Sequence, residues 1–138
     1  MRQALHHLSV PTDGASLVDV TPPIEQWLAT QGITTGLLTI WCRHTSASLL
    51  VQENADPRVK ADLLDFFRRV VPEDAGYRHN DEGPDDMPAH IRTALTQTQL
   101  SIPVANAKPV LGTWQAIYLF EHRAGRFRRE LVLHLFGS

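Results

Sequence analysis

The sequence predicts a single α+β domain spanning residues 1–138, in which a largely antiparallel sheet packs with about three helices. Short apolar runs with strand character recur along the chain, and three other segments carry apolar residues at helical spacing. The helices interrupt the strands but do not alternate with them regularly. Regular alternation would favour a doubly wound parallel sheet, so the irregular order favours an α+β fold.

The first and third helices are predicted from their start signals. The Thr21–Pro23 run places prolines in a first helical turn, and Gly32 ends that helix because glycine readily takes positive φ. A shorter helix is expected to begin around residues 85–88, with Ile91 among its inward-facing residues, and to fade by Thr98.

The second helix repeats the same signal. Asp56 precedes Pro57, and apolar residues then line one side of the segment up to Pro72. Leu63 and Phe66 share this apolar stripe, so we expect both side chains to belong to the hydrophobic core.

Six strands are predicted, over residues 3–10, 36–43, 46–51, 101–105, 114–121 and 128–135. In the last of them Leu131, Leu133 and Leu135 alternate with Glu130, Val132 and His134. This alternation predicts a strand with one buried face.

Composition excludes several classes of protein. Hydrophobic residues make up 43% of the chain and charged residues 20%, which is ordinary for a globular domain and not for a disordered chain. The formal net charge of −2 disfavours nucleic acid as a partner. Cys42 is the single cysteine, and no apolar run has the length of a membrane span, so we expect a cytoplasmic protein with no membrane partner.

Residues with chemical potential concentrate in three runs. The first leads from His44 and Ser46 through Glu53 and Asn54 to Asp56. The second lies in the long polar loop over residues 73–86 and the turn after it, and holds His79, the acids Asp85 and Asp86, and His90. The third surrounds the Thr113–Gln115 turn and ends at Glu121 and Arg123.

The histidines in these runs predict a metal site. Neutral imidazoles are ligands for zinc, and three protein ligands with one open position form the usual catalytic arrangement. The plainer interpretation treats these histidines as surface or capping residues, and treats Asp85 and Asp86 as acids that stabilise a helix start. Spacing alone leaves both interpretations open.

Three long motifs make the sequence resemble the YjbQ family: HTSASLLVQENADP, YRHNDEGPDDMPAHIR and LGTWQAIYLFEHR. The resemblance implies an α+β fold assembled as a homotrimer, a site near a subunit boundary, and weak thiamine-phosphate synthase activity. It also raises the expectation that His44, His79 and His90 bind one divalent metal ion, either zinc or magnesium.

Three functions remain open on these residues: a transferase joining a pyrimidine diphosphate to a thiazole phosphate, a metal-assisted hydrolase or isomerase of a small anionic metabolite, and a non-catalytic protein that binds a phosphorylated ligand. The predicted catalytic residues are His44, Glu53, Asn54, Asp56 and Glu121. The residues predicted to bind the phosphorylated substrate are Ser46, Arg92, Thr113, Trp114, Gln115 and Arg123.

Overall fold

The computed structural model describes all residues from Met1 to Ser138, as eight strands and three helices. The strands are β1 (Arg2–Asp13), β2 (Ser16–Asp19), β3 (Gly36–Cys42), β4 (Ala47–Glu53), β5 (Gln99–Ala105), β6 (Lys108–Pro109), β7 (Gln115–Glu121) and β8 (Arg126–Gly137). The helices are α1 (Thr21–Ala29), α2 (Pro57–Val70) and α3 (Asp86–Leu95). None of them combines the length and the apolar composition needed to cross a bilayer.

Two antiparallel sheets form the framework. The five-stranded sheet has the order β1-β8-β3-β5-β6, and the three-stranded sheet has the order β2-β7-β4. Every strand pairing is antiparallel. The predicted α+β fold, with antiparallel sheets in one domain and three helices, is therefore confirmed.

The main core lies between the two sheets. Leu131, Leu133 and Leu135 are fully buried there, so the alternation read in this strand is confirmed. Helix α1 closes the same core with Ile24 and Leu28.

Helix α1 begins at Thr21, but the Thr21 hydroxyl does not cap it. The hydroxyl oxygen instead accepts a hydrogen bond from the Ile117 backbone N–H at 2.8 Å and so ties the helix to β7. The chain leaves the helix region through Gly32, whose φ of +69° is the left-handed conformation expected of a glycine after a helix.

The structure shows that one prediction about helix α2 is wrong. Asp56 caps it as predicted, because its Oδ1 accepts from the Arg58 N–H at 2.9 Å. Phe66, however, is 45% exposed and does not belong to the core. No residue of α2 is fully buried, and Leu63 packs only partly against the cluster around Tyr118 and Phe120. The helix is a surface layer on the outer face of the three-stranded sheet, and its apolar stripe is wider than the sheet surface that it covers.

A buried ion pair joins the two sheets. The Glu121 carboxylate at the end of β7 is 0% exposed, and the Arg129 guanidinium on β8 is 6% exposed. Arg129 Nε donates to Glu121 Oε1 at 2.7 Å, and Nη2 donates to Oε2 at 2.5 Å. Thr12 on β1 donates its hydroxyl to the same carboxylate, so three strands meet at this one group.

Replacing Arg129 with Met should destabilise the fold by about 3–5 kcal/mol, because it leaves the Glu121 carboxylate buried and uncompensated. Arg126 on the same strand is the matched control, since it forms only an exposed pair with Asp13 at 3.6 Å. Arg126→Met should change the free energy of unfolding by less than about 0.5 kcal/mol. Urea denaturation measures both variants, and equal effects would show that the buried pair has no special role.

Candidate metal centre and the adjacent cavity

His79, Asp86 and His90 bring ligand atoms within 4.8 Å of one another at the start of α3. Asp86 and His90 are separated by four residues on the helix, so their side chains lie on one face. His79 reaches the same point from the preceding loop.

The two imidazoles meet at a single carboxylate oxygen. His79 Nε2 lies 2.7 Å from Asp86 Oδ2, and His90 Nε2 lies 3.1 Å from the same atom. Asp86 is 3% exposed, so its charge is largely removed from water. On the other side of its ring, His90 Nδ1 contacts the Thr45 carbonyl oxygen at 2.8 Å, which fixes the orientation of the imidazole.

Electrostatics in this group favour the ionised carboxylate. The hydrogen bond with Asp86 raises the pKa of His79 above its ordinary value. Burial by itself would raise the pKa of Asp86, but the His79 hydrogen bond and the charges of His90 and Arg123 hold that pKa below its usual range. The carboxylate is therefore a stable anion at neutral pH.

Arg123 and Asp85 support the group from behind. Arg123, which the sequence predicts to bind substrate, donates to Asp85 at 3.2 Å, and its Nη1 lies 3.4 Å from Asp86 Oδ1. This engagement raises the pKa of the Arg123 guanidinium, chiefly through the hydrogen bond with Asp85. In this arrangement Arg123 positions Asp86 within the group.

A cavity of about 820 Å³ opens beside His90. Its wall carries both basic and hydroxyl side chains, among them Arg43, His44, Ser46, Thr93 and Arg129. The Thr93 hydroxyl is buried and has no hydrogen-bond partner. A cavity of this size, with few apolar residues in its wall, suits a small polar metabolite.

His44 borders this cavity but lies outside the group of three ligands. Its Nε2 accepts a hydrogen bond from the Glu130 backbone N–H at 2.7 Å, so that lone pair is already used. Burial lowers the pKa of His44, and the nearby Arg129 charge lowers it further. The structure therefore assembles two of the three predicted histidines, and Asp86 completes the set in place of His44.

Two further predicted residues, Ser46 and Glu121, are tied to the buried ion pair. Glu121 accepts from Arg129, from Thr12 and from the backbone N–H groups of His122 and Arg123. With its oxygens occupied and no exposed surface, Glu121 positions its neighbours and has no free lone pair for a substrate. Ser46 lines the cavity, and its hydroxyl oxygen accepts from Arg129 at 3.1 Å.

The remaining predicted residues lie apart from this cavity. Arg92 lies on α3 but lines a different cavity, next to His122. The far ends of β4 and β7 carry the others, which are Glu53, Asn54, Asp56, Thr113, Trp114 and Gln115. They surround or adjoin a third cavity of about 430 Å³. The length of β4 places the two ends about 20 Å apart, so one chain does not unite them.

Sequence reasoning placed Asp86 among the residues with chemical potential but not among the ligands of the histidine site, and it assigned no role to Thr45 or Thr93. The spacing of Asp86 and His90 on a predicted helix could have indicated a shared face. No sequence signal indicates that the Thr45 carbonyl would orient His90, because this contact joins residues 45 positions apart.

Comparisons with known proteins agree with the fold and the motifs. A family model described as "UPF0047 protein YjbQ-like" matches residues 6–138. The chain belongs to the YjbQ-like family. A UPF0047 protein of Synechocystis is 50% identical to it over 138 residues, covering 99% of this chain and 94% of the relative. The UPF0047 protein YjbQ of Salmonella typhimurium is 43% identical over 117 residues, covering 85% of this chain and 78% of the relative.

Solved structures similar to this chain share the YjbQ-like fold. A hypothetical protein from Aeropyrum pernix K1 superposes with a TM-score of 0.89 at 31% identity, covering 98% of this chain and 99% of the other. An uncharacterized conserved YjbQ/UPF0047 protein from Clostridium acetobutylicum gives 0.88 at 30% identity, covering 95% and 99%. The family resemblance seen in the three motifs is confirmed.

Replacing Asp86 with Asn should lower the pKa of His79 toward the ordinary value of about 6.5 in metal-free protein. The ionised carboxylate stabilises the imidazolium, and the amide carries no charge to do so. An NMR titration of the His79 ring resonances measures the change. His134, whose side chain forms its hydrogen bond with Gln3 in the five-stranded sheet and not with this group, is the internal control. An unchanged His79 pKa would contradict the contact with Asp86.

Proposed function

We propose that this YjbQ-like protein is a metal-dependent enzyme acting on a small phosphorylated metabolite, with His79, Asp86 and His90 as the metal ligands. The observation that carries the proposal is the hydrogen bonding of His90. A cytoplasmic location is part of the same proposal.

A neutral imidazole has one N–H, and the Thr45 carbonyl oxygen can only accept. In the neutral ring His90 Nδ1 therefore carries the hydrogen, which leaves a lone pair on Nε2 directed at the Asp86 carboxylate, whereas a protonated ring would donate Nε2–H to it. Two acceptors 3.1 Å apart repel each other unless a proton or a cation lies between them. A divalent ion would satisfy both, together with His79.

The surroundings of His90 also match those of metal-binding histidines. Such residues commonly donate their second ring N–H to a backbone carbonyl or a carboxylate, which fixes the tautomer and the ring orientation. The Thr45 carbonyl takes this role for His90, and Arg123 supports Asp86 in the same way. A bound ion would supply positive charge for an anion that develops on the substrate or leaving group.

The adjacent cavity supports a phosphorylated substrate. Thr93, whose buried hydroxyl has no partner, is one of its lining residues, and Ser46, Arg43 and Arg129 add polar and cationic groups to its wall. Thiamine-phosphate synthesis belongs to this class of reaction, since it releases a diphosphate whose charge a metal ion can neutralise. Hydrolysis or isomerisation of a phosphorylated metabolite uses the same features, and so does ligand binding without turnover.

We also propose the homotrimer that the family resemblance implies. The outer face of the five-stranded sheet supports it, because no element of the chain covers this face. Leu37 and Phe136 are cross-strand neighbours there, and Leu5 and Trp41 lie on the same face, all of them exposed. Apolar patches of this kind mark association surfaces, and obligate interfaces commonly bury about 2,000 Å² or more.

Metal content tests the proposed ligands. After loading with zinc and dialysis, the wild type should retain about one ion per chain by elemental analysis. His79→Ala, Asp86→Asn and His90→Ala should each weaken zinc binding by more than about 100-fold. Loss of a residue that only supports a ligand typically weakens binding by about 10- to 100-fold, so a larger loss identifies a ligand. His44→Ala is the matched control and should retain the ion, because His44 lies outside the group. Equal metal content in all five proteins would refute the site.

Measurements of turnover with the same variants distinguish the three functions. The wild type should convert either the thiamine precursors or other phosphorylated metabolites, and Asp86→Asn should reduce kcat by at least about 100-fold if the ion acts in the reaction. Conversion of thiamine precursors identifies the transferase, and release of phosphate identifies a hydrolase. Saturable binding without any turnover would contradict the enzyme and support a ligand-binding protein.

Replacing Leu37 with Glu should convert the trimer into monomers, because it places a charge in the centre of the apolar sheet face. Sedimentation velocity measures the mass of the assembly at micromolar concentration. Val70→Glu on the exposed side of α2 is the control and should leave the trimer intact. A wild-type monomer would defeat the assembly, whereas dissociation of the Val70 variant alone would place the interface on α2.

A further inference from the structure

A separate cavity of about 490 Å³ lies between the end of α2, the start of α3 and the turn after β7. Arg92 and His122 form its buried side, and Arg68, Glu73 and Asp85 lie around it. It shares no wall residue with the cavity beside the proposed metal centre.

Arg92 is a buried cation with no carboxylate partner. It is 8% exposed, and the only hydrogen bond of its guanidinium runs from Nη2 to the Val71 carbonyl oxygen at 2.7 Å. Its Nε–H has no partner. Arg129, the other buried arginine, has two hydrogen bonds to Glu121. Because an unpaired buried charge is costly, the contrast indicates that Arg92 lacks an anion that the folded chain does not itself supply.

His122 presents a second unpartnered nitrogen in the same cavity. Its ring is 2% exposed, and Nε2 contacts the Ser48 hydroxyl at 2.9 Å. The Thr96 hydroxyl lies 2.6 Å from that of Ser48 and 2.9 Å from the Arg92 carbonyl oxygen, so its single hydrogen can serve either and both His122 tautomers fit the Ser48 contact. Nδ1 has no hydrogen-bond partner, and in the tautomer that carries its hydrogen there it can donate to an anion. Burial, together with the charges of Arg92 and Arg129, lowers the pKa of His122 to about 3, which keeps the ring neutral.

No carboxylate lies within ion-pair distance of Arg92, although the charges of Glu73 and Asp85 act on it from further away. The Asp85 carboxylate is held by Arg123 at 3.2 Å and by the Ala124 N–H at 2.9 Å. Arg68 pairs with Asp65, and Glu73 lies on the exposed loop without a hydrogen bond or ion pair to Arg92. The buried side of the cavity therefore carries one cation with an unpartnered Nε–H and one unpartnered imidazole nitrogen.

We propose that this cavity binds a small oxyanion, a phosphate or carboxylate group, between Arg92 Nε and His122 Nδ1. Charge-assisted hydrogen bonds from a guanidinium to such a group are about twice as strong as neutral ones. The site goes beyond the proposed metal-dependent function and uses none of its ligands. It would hold the anionic part of a second substrate or of a regulatory metabolite.

Calorimetry on metal-free protein tests the site with two probes, inorganic phosphate and acetate, which distinguish a phosphate ligand from a carboxylate ligand. At least one probe should bind the wild type, and Arg92→Met should weaken that binding by at least about tenfold, as expected for the loss of a hydrogen bond to a charged group. Arg92→Lys keeps the charge but lacks the Nε–H, so its affinity should fall between the two. Arg126→Met removes an exposed arginine of the same charge and should bind as the wild type does.

His79→Ala separates this site from the metal centre. It should lose zinc and keep the oxyanion, whereas Arg92→Met should keep zinc and lose the oxyanion. The zinc and oxyanion measurements can therefore refute the metal centre and the oxyanion site independently of each other.

A wild-type crystal soaked in selenate provides a readout that does not depend on any variant folding. Anomalous density within hydrogen-bond distance of Arg92 Nε and His122 Nδ1 is the expected result. Water alone at both atoms, or an oxyanion affinity unchanged in a folded Arg92→Met protein, would overturn the proposal.

Discussion

The buried contact between Glu121 and Arg129 is the constraint on which both walls of the candidate site depend. Each residue comes from a different sheet, so the ion pair sets how the sheets approach at this end of the core. Glu121 also accepts from the backbone N–H groups of His122 and Arg123, which fixes the direction of the chain as it leaves β7. Arg123 then reaches Asp86, while Arg129 holds Ser46 on the cavity wall. A pair of this kind contributes little net stability compared with apolar packing, but losing one partner is costly. Its value here is that it orients four functional neighbours at once.

The buried charged residues of the chain fall into two classes, those paired within the fold and those with incomplete partners. Where a carboxylate and a guanidinium lie together, as in Glu121 and Arg129, both carboxylate oxygens are engaged by Nε and Nη2 of the arginine and both residues are buried. Asp86 and Arg92 are also buried, yet their surroundings are incomplete. Asp86 faces two imidazoles, and the neutral form of His90 presents a lone pair to it; the Arg92 Nε–H has no partner beside a cavity. Because folded proteins rarely leave buried polar groups unsatisfied, incomplete pairing next to a cavity indicates a ligand more strongly than the charge alone does.

Much of the fold could be predicted from the sequence, because local sequence signals determine it. Asp56 before Pro57 defined a helix start, and the alternation of Leu131 to Leu135 defined a buried strand face. The four-residue strand β2 was missed, since so short a segment has no period of its own. Phe66 was wrongly assigned to the core. An apolar stripe shows that one side of a helix packs against the protein, but it does not show how many residues of the stripe are buried. The spacing of Asp86 and His90 was readable in the sequence, but the position of His44 outside their group was not, because the Glu130 N–H engages His44 in a contact made across the fold.

The motif residues lie in two groups at opposite ends of the three-stranded sheet. His79, Asp86 and His90 lie near one end of β4 and β7, whereas Asn54, Thr113 and Gln115 lie at the other end. A sheet of hydrogen-bonded strands does not fold back on itself, so no rearrangement within one chain brings these groups together. A cyclic trimer joins subunits through heterologous contacts, in which two different surfaces of the chain meet at each interface. In the proposed homotrimer the two ends of the three-stranded sheet can therefore face each other across a subunit boundary. A site that uses both sets of residues would therefore have to lie between chains, whereas the proposed metal centre and its adjacent cavity are complete within one chain.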